Sequence, residues 1–235
     1  MQNTIKKIIF LMKSDASLKI ILLFLYQKVL NIFFKRKIKF FKKKNQSFLK
    51  EKKISNDYFS MNAYSFYRHI KNINKINLNY LEIGSYEGNS AMFVSRNFTN
   101  FKVYCVDNWH STEEYGGQDF TKVEKNFDFN VREFSNIIKI KNNSDDFFLK
   151  NKTFFDVIYV DGYHKDYQVL KDCKNSWHFL KKGGLLICDD YIWSFYKNVK
   201  ENPCYSINKF LNEVFKEIKI LEVSKSQIFI RKIDE

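Results

Sequence analysis

The stretch that decides the fold covers residues 80–90 and reads Tyr80-Leu81-Glu82-Ile83-Gly84-Ser85-Tyr86-Glu87-Gly88-Asn89-Ser90. An apolar run of strand length leads into two glycines, and a helix-like segment follows at residues 90–97. This order lets a ligand approach the backbone of the turn and meet the free N–H groups at the helix start. The glycines do not follow the G-x-G-x-x-G spacing, so the dinucleotide fingerprint is absent.

Further strand-like and helix-like segments alternate after this unit. Strand-like runs lie at residues 103–107, 137–140, 155–161 and 185–190, and helix-like segments lie at 121–134 and 166–180. The alternation predicts an α/β fold with a doubly wound, mostly parallel sheet covered on both faces. A helix at 207–219, capped by Ser206, and two strands at 220–223 and 227–233 then predict an antiparallel hairpin at the sheet edge. An aromatic helix is also expected at 55–72.

The composition is that of a globular protein. The chain has 235 residues, of which 45% are hydrophobic and 18% aromatic. This suits one α/β domain plus an extension and excludes a disordered chain, a collagen and a disulfide-stapled miniprotein. The four cysteines have no metal-knuckle spacing. We therefore expect reduced thiols in a cytoplasmic protein.

Almost all of the net positive charge lies in the first part of the chain. Residues 1–53 carry +13 of the formal +14, whereas residues 54–235 are nearly neutral. A neutral main domain argues against nucleic acid as the partner, because phosphate binding requires a basic face on the binding domain itself. We expect a basic amphipathic N-terminal extension at 1–54 and the main domain at 55–235.

The role of the extension is open from the sequence. Residues 35–44 interleave lysines and an arginine with phenylalanines, which suits a helix lying on an anionic membrane surface. The neighbouring apolar stretches are too short and too interrupted to span a bilayer. A solvated arm or a contact between copies of the chain is an equal alternative. The expected location is the cytoplasm, at the inner face of the membrane if the lipid alternative holds.

Two polar groups follow the second and third predicted strands. In an open parallel sheet, ligands bind beyond the carboxyl ends of the strands. Asp107 ends the second strand and could accept hydrogen bonds from both hydroxyls of a ribose. Asn143, Ser144 and Asp145 follow the third strand and either reach an adenine or form an ordinary turn before the next helix. Together with the glycine turn, they indicate a ligand that contains adenosine.

Three carboxylates follow the fourth and fifth predicted strands. If these strands are neighbours, Asp161, Asp189 and Asp190 converge on one spot and raise one another's pKa values. A hard divalent cation such as Mg²⁺ would relieve this repulsion. The alternative is that one aspartate caps a helix and another bonds a loop amide. His164, three residues past Asp161, suits removal of a proton from a substrate hydroxyl, or else forms a hydrogen bond within its own loop.

The motifs, taken in order, resemble class I S-adenosylmethionine-dependent methyltransferases. The residues that carry the resemblance are Leu81-Glu82-Ile83-Gly84-x-x-x-Gly88-x-Ser90, Val106-Asp107, Val160-Asp161-Gly162-x-His164-x-x-Tyr167, and 180–191 with Gly183-Gly184 and Asp189-Asp190-Tyr191. Within the class, the sequence is most similar to the branch of macrocin-type sugar O-methyltransferases. The resemblance covers residues 78–192, and the C-terminal hairpin fits the class.

The resemblance implies a seven-stranded Rossmann-like sheet and a set of site residues. The expected cofactor-binding residues are Glu82, Gly84, Ser85, Gly88, Asp107, Asn143, Ser144 and Asp145. The expected magnesium ligands are Asp161, Asp189 and Asp190, and the expected catalytic residues are His164 and Asp161. Some sugar-modifying members carry an acidic base two residues past the first metal aspartate. Tyr163 stands there in this chain, so the role of base falls to His164 or to the metal alone.

The expected function is therefore magnesium-assisted O-methylation of a hydroxyl on a sugar, a glycan or a similar small molecule, with S-adenosylmethionine as donor. The expected partners are that acceptor, an anionic membrane surface through residues 1–53 and a second copy of the chain. Three other readings stay open: a nicotinamide-dependent oxidoreductase, a non-catalytic protein on a membrane surface that retains the fold, and a methyltransferase that acts on nucleic acid or protein.

Overall fold

The computed structural model describes residues 2–73 and 76–233. The helices are α1 (Gln2–Lys13), α2 (Leu18–Phe33), α3 (Lys35–Leu49), α4 (Ala63–Ile70), α5 (Asn89–Asn97), α6 (Phe120–Val131), α7 (Ser144–Lys150), α8 (Asp166–Phe179) and α9 (Pro203–Glu213). The strands are β1 (Leu78–Ile83), β2 (Phe101–Asp107), β3 (Ile137–Lys141), β4 (Phe155–Val160), β5 (Leu180–Cys188), β6 (Ile218–Val223) and β7 (Ile228–Lys232).

The strands form one seven-stranded sheet in the order β3-β2-β1-β4-β5-β7-β6. The pairs β1–β2 and β2–β3 are parallel, and β7 runs antiparallel to both β5 and β6. The predicted fold class is therefore confirmed: a mostly parallel, Rossmann-like sheet that ends in an antiparallel hairpin. The same strand order makes the fourth and fifth strands neighbours, which is the condition for the three carboxylates that follow them to converge.

The chain divides into two compact units. The central unit is Phe33–Phe155, and the terminal unit joins Met1–Ile32 to Asp156–Glu235. The basic segment at 1–54 therefore contributes helices to both units. The domain boundary expected at residue 54 stays a prediction.

The core of the central unit lies around β1, whose apolar side chains Leu78, Tyr80, Leu81 and Ile83 are buried. Helix α3 joins this unit through a buried amide. Asn45 Nδ2 donates to Ser60 Oγ and to Asn89 Oδ1, each at 2.9 Å, and Arg96 Nη2 donates to Asn45 Oδ1 at 3.0 Å. Since a buried amide without partners is costly, these bonds fix the register of α3.

Helices α1 and α2 form a hairpin within the terminal unit. Leu11, Ile20 and Phe24 are almost fully buried. The turn between the helices is anchored at Ser14, whose carbonyl oxygen accepts from Asn208 Nδ2 at 2.7 Å. Among the described residues, no helix is both long and apolar enough to cross a membrane.

Two local expectations were wrong. The helix expected at 55–72 is confined to α4, because the residues before it form turns. The last helix begins at Pro203 rather than after Ser206. Proline has no N–H to lose in a first turn and already has a helical φ, so it starts the helix. Ser206 lies inside α9, where its hydroxyl donates to the carbonyl of Asp166 at 2.7 Å.

Candidate active site

Asp107 at the end of β2 holds the glycine turn. Its Oδ2 accepts from the backbone N–H groups of Ser85 and Tyr86, both at 2.9 Å, and its Oδ1 accepts from Trp109 N–H at 2.7 Å. Burial raises the pKa of Asp107, and these three hydrogen bonds oppose the rise. A carboxylate offers about four acceptor positions, so room remains for a hydroxyl group of a ligand.

Gly84 and Gly88 adopt conformations that disfavour any side chain. Their φ values are +85° and +82°, in the left-handed region. A Cβ on Gly88 would also lie 3.1 Å from atoms of both Phe127 and Val131. The turn is thus tight, and it packs closely against α6.

Three further side chains at the turn are deeply buried. Glu82 is 0% exposed at the end of β1, where its Oε2 accepts from Tyr80 Oη at 2.9 Å, and Ser85 is 2% exposed. Glu87, which the sequence analysis did not single out, accepts from Ser55 Oγ and from Asn126 Nδ2, both at 2.7 Å. In the sequence, its position between the two glycines could have pointed to this role. Glu87 ties the turn to α6 and to the segment before α4.

The residues expected to reach an adenine lie at the start of α7. Asn143 caps this helix, since its Oδ1 accepts from Asp146 N–H at 2.8 Å and its Nδ2 donates to Asp146 Oδ2 at 2.9 Å. This matches the alternative of an ordinary turn for Asn143. Ser144 and Asp145 are half-buried in the first turn of α7.

The ends of β4 and β5 bring Asp161, His164 and Asp190 together in the terminal unit. His164 Nε2 lies 3.1 Å from Asp190 Oδ2 and 3.5 Å from Asp161 Oδ1. One donor atom from each of the three residues lies within 4.8 Å of the other two. These atoms are close enough for one small cation to contact all of them, so the donor set fits a divalent metal.

The side chain of Asp189 has different partners from that of Asp190. Its Oδ2 accepts from Gln227 Nε2 at 2.8 Å and contacts Tyr159 Oη, while its Oδ1 accepts from Asp190 N–H at 2.7 Å. Tyr159 Oη also lies 2.8 Å from Asp161 Oδ2. Asp189 is therefore not one of the three clustered residues, but Tyr159 links it to Asp161.

Burial and like charge raise the pKa values of Asp161 and Asp189. Burial is the largest cause for both Asp161 and Asp189. The charge of Asp190 adds to the rise at both, and that of Asp161 adds to it at Asp189. These carboxyl groups thus hold protons at a higher pH than ordinary aspartates, and a bound cation would reverse this.

A stacked pair of aromatic rings lies beside His164. The ring of Trp193 is centred 5.0 Å from the imidazole ring and stacks on Phe195 with an interplanar angle of 4° and a centroid distance of 5.4 Å. Asn202 fixes this loop, since its Oδ1 accepts from the N–H groups of Phe195 and Tyr196. Phe195 is half exposed. We call Trp193 and Phe195 the aromatic platform.

Sequence reasoning placed the segment 191–205, which contains the platform, in the wall of the substrate pocket, but it missed Tyr159 and Gln227. Tyr159 stands two residues before Asp161 in β4, and side chains at this spacing share a face of a strand. That spacing was an available signal for Tyr159. Gln227 precedes the last strand, and no local pattern distinguishes it from an ordinary turn residue.

Comparison with known proteins supports one class of enzyme. Residues 81–191 match a family described as a methyltransferase domain. Among curated proteins, none matches the sequence at a significant level. The strand order and the match together support an S-adenosylmethionine-dependent methyltransferase of class I. The oxidoreductase and the non-catalytic protein that the sequence left open are not favoured.

Solved structures of O-methyltransferases share the fold. The O-methyltransferase of Bacillus cereus, solved with S-adenosylhomocysteine (SAH), is 12% identical with a TM-score of 0.56 over 92% of this chain and 100% of that one. A provisionally assigned caffeoyl-CoA O-methyltransferase from Staphylococcus aureus is 18% identical, with a TM-score of 0.56 over 88% and 99%. MycE of mycinamycin biosynthesis, solved with Mg, SAH and mycinamycin VI, is 15% identical, with a TM-score of 0.55 over 76% of this chain and 51% of MycE.

Proposed function

We propose that the protein transfers a methyl group to a hydroxyl of a sugar, a glycan or a similar small molecule, with a magnesium ion bound at Asp161 and Asp190. The observation that carries this proposal is the convergence of Asp161, His164 and Asp190 within 4.8 Å. The MycE structure, which contains Mg and SAH, supports a metal-using member of the class. We also propose that the protein belongs to the macrocin-type branch of sugar O-methyltransferases.

The central unit would hold the methyl donor. S-adenosylmethionine supplies a methyl group on a sulfonium, whose leaving thioether is neutral and needs no acid. Glu82 offers a buried carboxylate that suits an ammonium group, and Asp107 offers its remaining acceptor position to the ribose. Gly84 and Gly88 leave the turn without side chains at the point of approach.

The terminal unit would activate the acceptor. A sugar hydroxyl is almost wholly protonated at neutral pH, and a bound magnesium ion would lower its pKa. Asp161 and Asp190 would hold this cation. Asp189 would orient Asp190 through the bond from Asp190 N–H to Asp189 Oδ1. His164 would accept the hydroxyl proton at Nε2, the atom that faces both carboxylates.

The aromatic platform supports a sugar as acceptor. Trp193 and Phe195 stack almost in parallel beside His164. The C–H face of a sugar ring packs well on flat aromatic rings, and a few polar groups nearby then fix its orientation. This arrangement would direct a hydroxyl towards the imidazole.

Methyl transfer from radiolabelled S-adenosylmethionine to a panel of nucleotide sugars and glycans tests the proposal. We expect activity that chelation abolishes and magnesium restores. Asp161→Asn and Asp190→Asn should each lower kcat/KM at least a hundredfold, whereas Asp128→Asn on the surface should not change it. Undiminished activity after thorough metal stripping would remove the metal from the mechanism, and binding of NADH instead of SAH would overturn the function itself.

A further inference from the structure

The α1–α2 hairpin presents an apolar stripe away from its buried face. On α1 and α2 the exposed apolar side chains recur every three or four residues. These are Ile5, Ile9 and Met12 on α1, and Leu18, Leu22, Leu25, Val29 and Ile32 on α2. Since residues at this spacing share one side of a helix, each helix carries a continuous exposed stripe. The buried Ile20 and Phe24 lie on the opposite side of α2.

The stripe is bordered by lysines. Helical spacing places Lys19 and Lys28 at opposite borders of the α2 stripe, and Lys6 and Lys13 beside the stripe of α1. All four side chains are exposed. Long lysine side chains can lie along apolar surface while their ammonium groups reach a polar layer.

Cations also gather at one end of the hairpin. Lys7 lies close enough to Lys28 and Lys225 for their charges to act on it: burial is the largest cause that lowers its pKa, and the two ammonium groups add to it. Lys225 is exposed in the turn between β6 and β7. Helical spacing places Lys7 on the side of α1 opposite the stripe, so this cluster adds to the positive field of the terminal unit but does not border the stripe.

Charge decides between a lipid surface and a second copy of the chain. Residues 1–33 contain five lysines and one acid, Asp15. A symmetric dimer through the stripe would place the lysines of both copies around one interface with little acid to offset them, because a two-fold interface uses the same patch on both copies. A bilayer with anionic headgroups offers apolar depth to the stripe and negative charge to its borders.

We infer that the α1–α2 hairpin docks on the surface of a membrane that contains anionic phospholipid. The hairpin lies along the bilayer plane, with its stripe at the boundary between headgroups and acyl chains. Its anchor, the bond between Asn208 and Ser14, belongs to the folded terminal unit, so docking would hold that unit at the membrane.

Co-sedimentation of the full chain with vesicles tests this inference. We expect binding to vesicles of phosphatidylcholine with phosphatidylglycerol and at least tenfold weaker binding to phosphatidylcholine alone. Binding should weaken as salt increases. The double variant Leu22→Glu/Val29→Glu should bind at least tenfold more weakly, while Leu149→Glu, at a more exposed apolar site on α7, should bind as the wild type does.

A lysine variant separates the charge contribution from the apolar one. Lys19→Gln/Lys28→Gln should lose about fivefold in affinity for each charge removed, and Lys150→Gln should lose nothing. Circular dichroism and thermal melting establish that each variant is folded. Equal binding by the variants and the wild type, equal binding to neutral vesicles, or no binding at all would overturn the inference. A dimer that Leu22→Glu/Val29→Glu dissociates would assign the stripe to a second copy instead.

Discussion

At the scale of single residues, Tyr159 places one hydroxyl hydrogen between two carboxylates. Its Oη contacts both Asp161 and Asp189, yet it can donate only one hydrogen bond. The other carboxylate therefore lies against the hydroxyl oxygen with no proton between the two oxygens, unless that carboxyl group is itself protonated. This agrees with the raised pKa values of both aspartates.

The raised pKa values predict that protons compete with magnesium. The pKa values of Asp161 and Asp189 lie above the ordinary value of 3.8. Acidification should therefore protonate them, and so weaken cation binding, at a pH where ordinary aspartates are still ionised. We expect magnesium to raise the melting temperature more at pH 8 than at pH 5.5. Differential scanning fluorimetry with and without magnesium measures this. Asp161→Asn should remove the magnesium effect at both pH values, and an equal effect of magnesium at both pH values in the wild type would contradict the prediction.

Tyr159 is predicted to act as a positioning residue for the acid cluster. Tyr159→Phe keeps the buried ring but removes a hydroxyl that lowers the pKa of both aspartates. We expect about tenfold weaker magnesium binding by calorimetry, with little change in SAH affinity. Tyr191→Phe is the matched control, since its equally buried hydroxyl bonds Asn208 instead. A loss of magnesium affinity in both variants would point to a structural effect.

The same cluster shows why sequence could locate the site but not assign every ligand. Acids at the ends of β4 and β5 follow from the strand pattern alone. The directions of the consecutive side chains Asp189 and Asp190 do not, because they depend on the left-handed backbone at Asp190, where φ is +50°. Gln227 reaches Asp189 from a turn 38 residues away, which no local pattern reveals.

At the scale of elements, the turn between β1 and α5 combines an unusual backbone with a tight contact. Three features could be predicted from the sequence, because each has a periodic or positional signal. They are the two glycines, the acid at the end of β2 and the alternation of segments. The start of α9 was misread, because a serine that resembles a cap competed with Pro203 as the first helical residue. The preference of proline for the first turn of a helix was the signal in the sequence that favoured Pro203.

Gly88→Ala is predicted to be more harmful than the same change at Gly117. Both glycines have a φ near +80°, so both variants carry a backbone cost of about 1–2 kcal/mol. Only at Gly88 would the added methyl group press on Phe127 and Val131, since nothing lies within 4 Å of a Cβ on Gly117. We expect lower stability in urea for Gly88→Ala and weaker SAH binding. Equal losses in the two variants would show that backbone strain alone matters.

At the scale of the whole molecule, the chain brings its first helices together with its last elements. Composition identified residues 1–54 as different from the rest, since the charge asymmetry is visible in the sequence. It could not show that Leu11 is fully buried or that Ser14 accepts a hydrogen bond from Asn208. Contacts between residues so distant in sequence leave no periodic trace in either segment.

Leu11→Ala is predicted to destabilise the protein, because it leaves a cavity where the side chain is 0% exposed. We expect a loss of about 2–5 kcal/mol in the free energy of unfolding. Met12→Ala, one residue away and 62% exposed, should change it by no more than about 0.5 kcal/mol. Urea denaturation measures both variants. Equal stability of the two would mean that α1 is an attached arm rather than part of the fold.

The hydrogen bond between Asn208 and Ser14 spans 194 positions of the chain and therefore has a consequence for biosynthesis. A ribosome makes the α1–α2 hairpin long before it makes α9, so the nascent hairpin waits without its partner. Throughout that interval, both of its apolar sides face the surroundings. Until α9 is complete, the hairpin thus needs protection by chaperones or by a lipid surface.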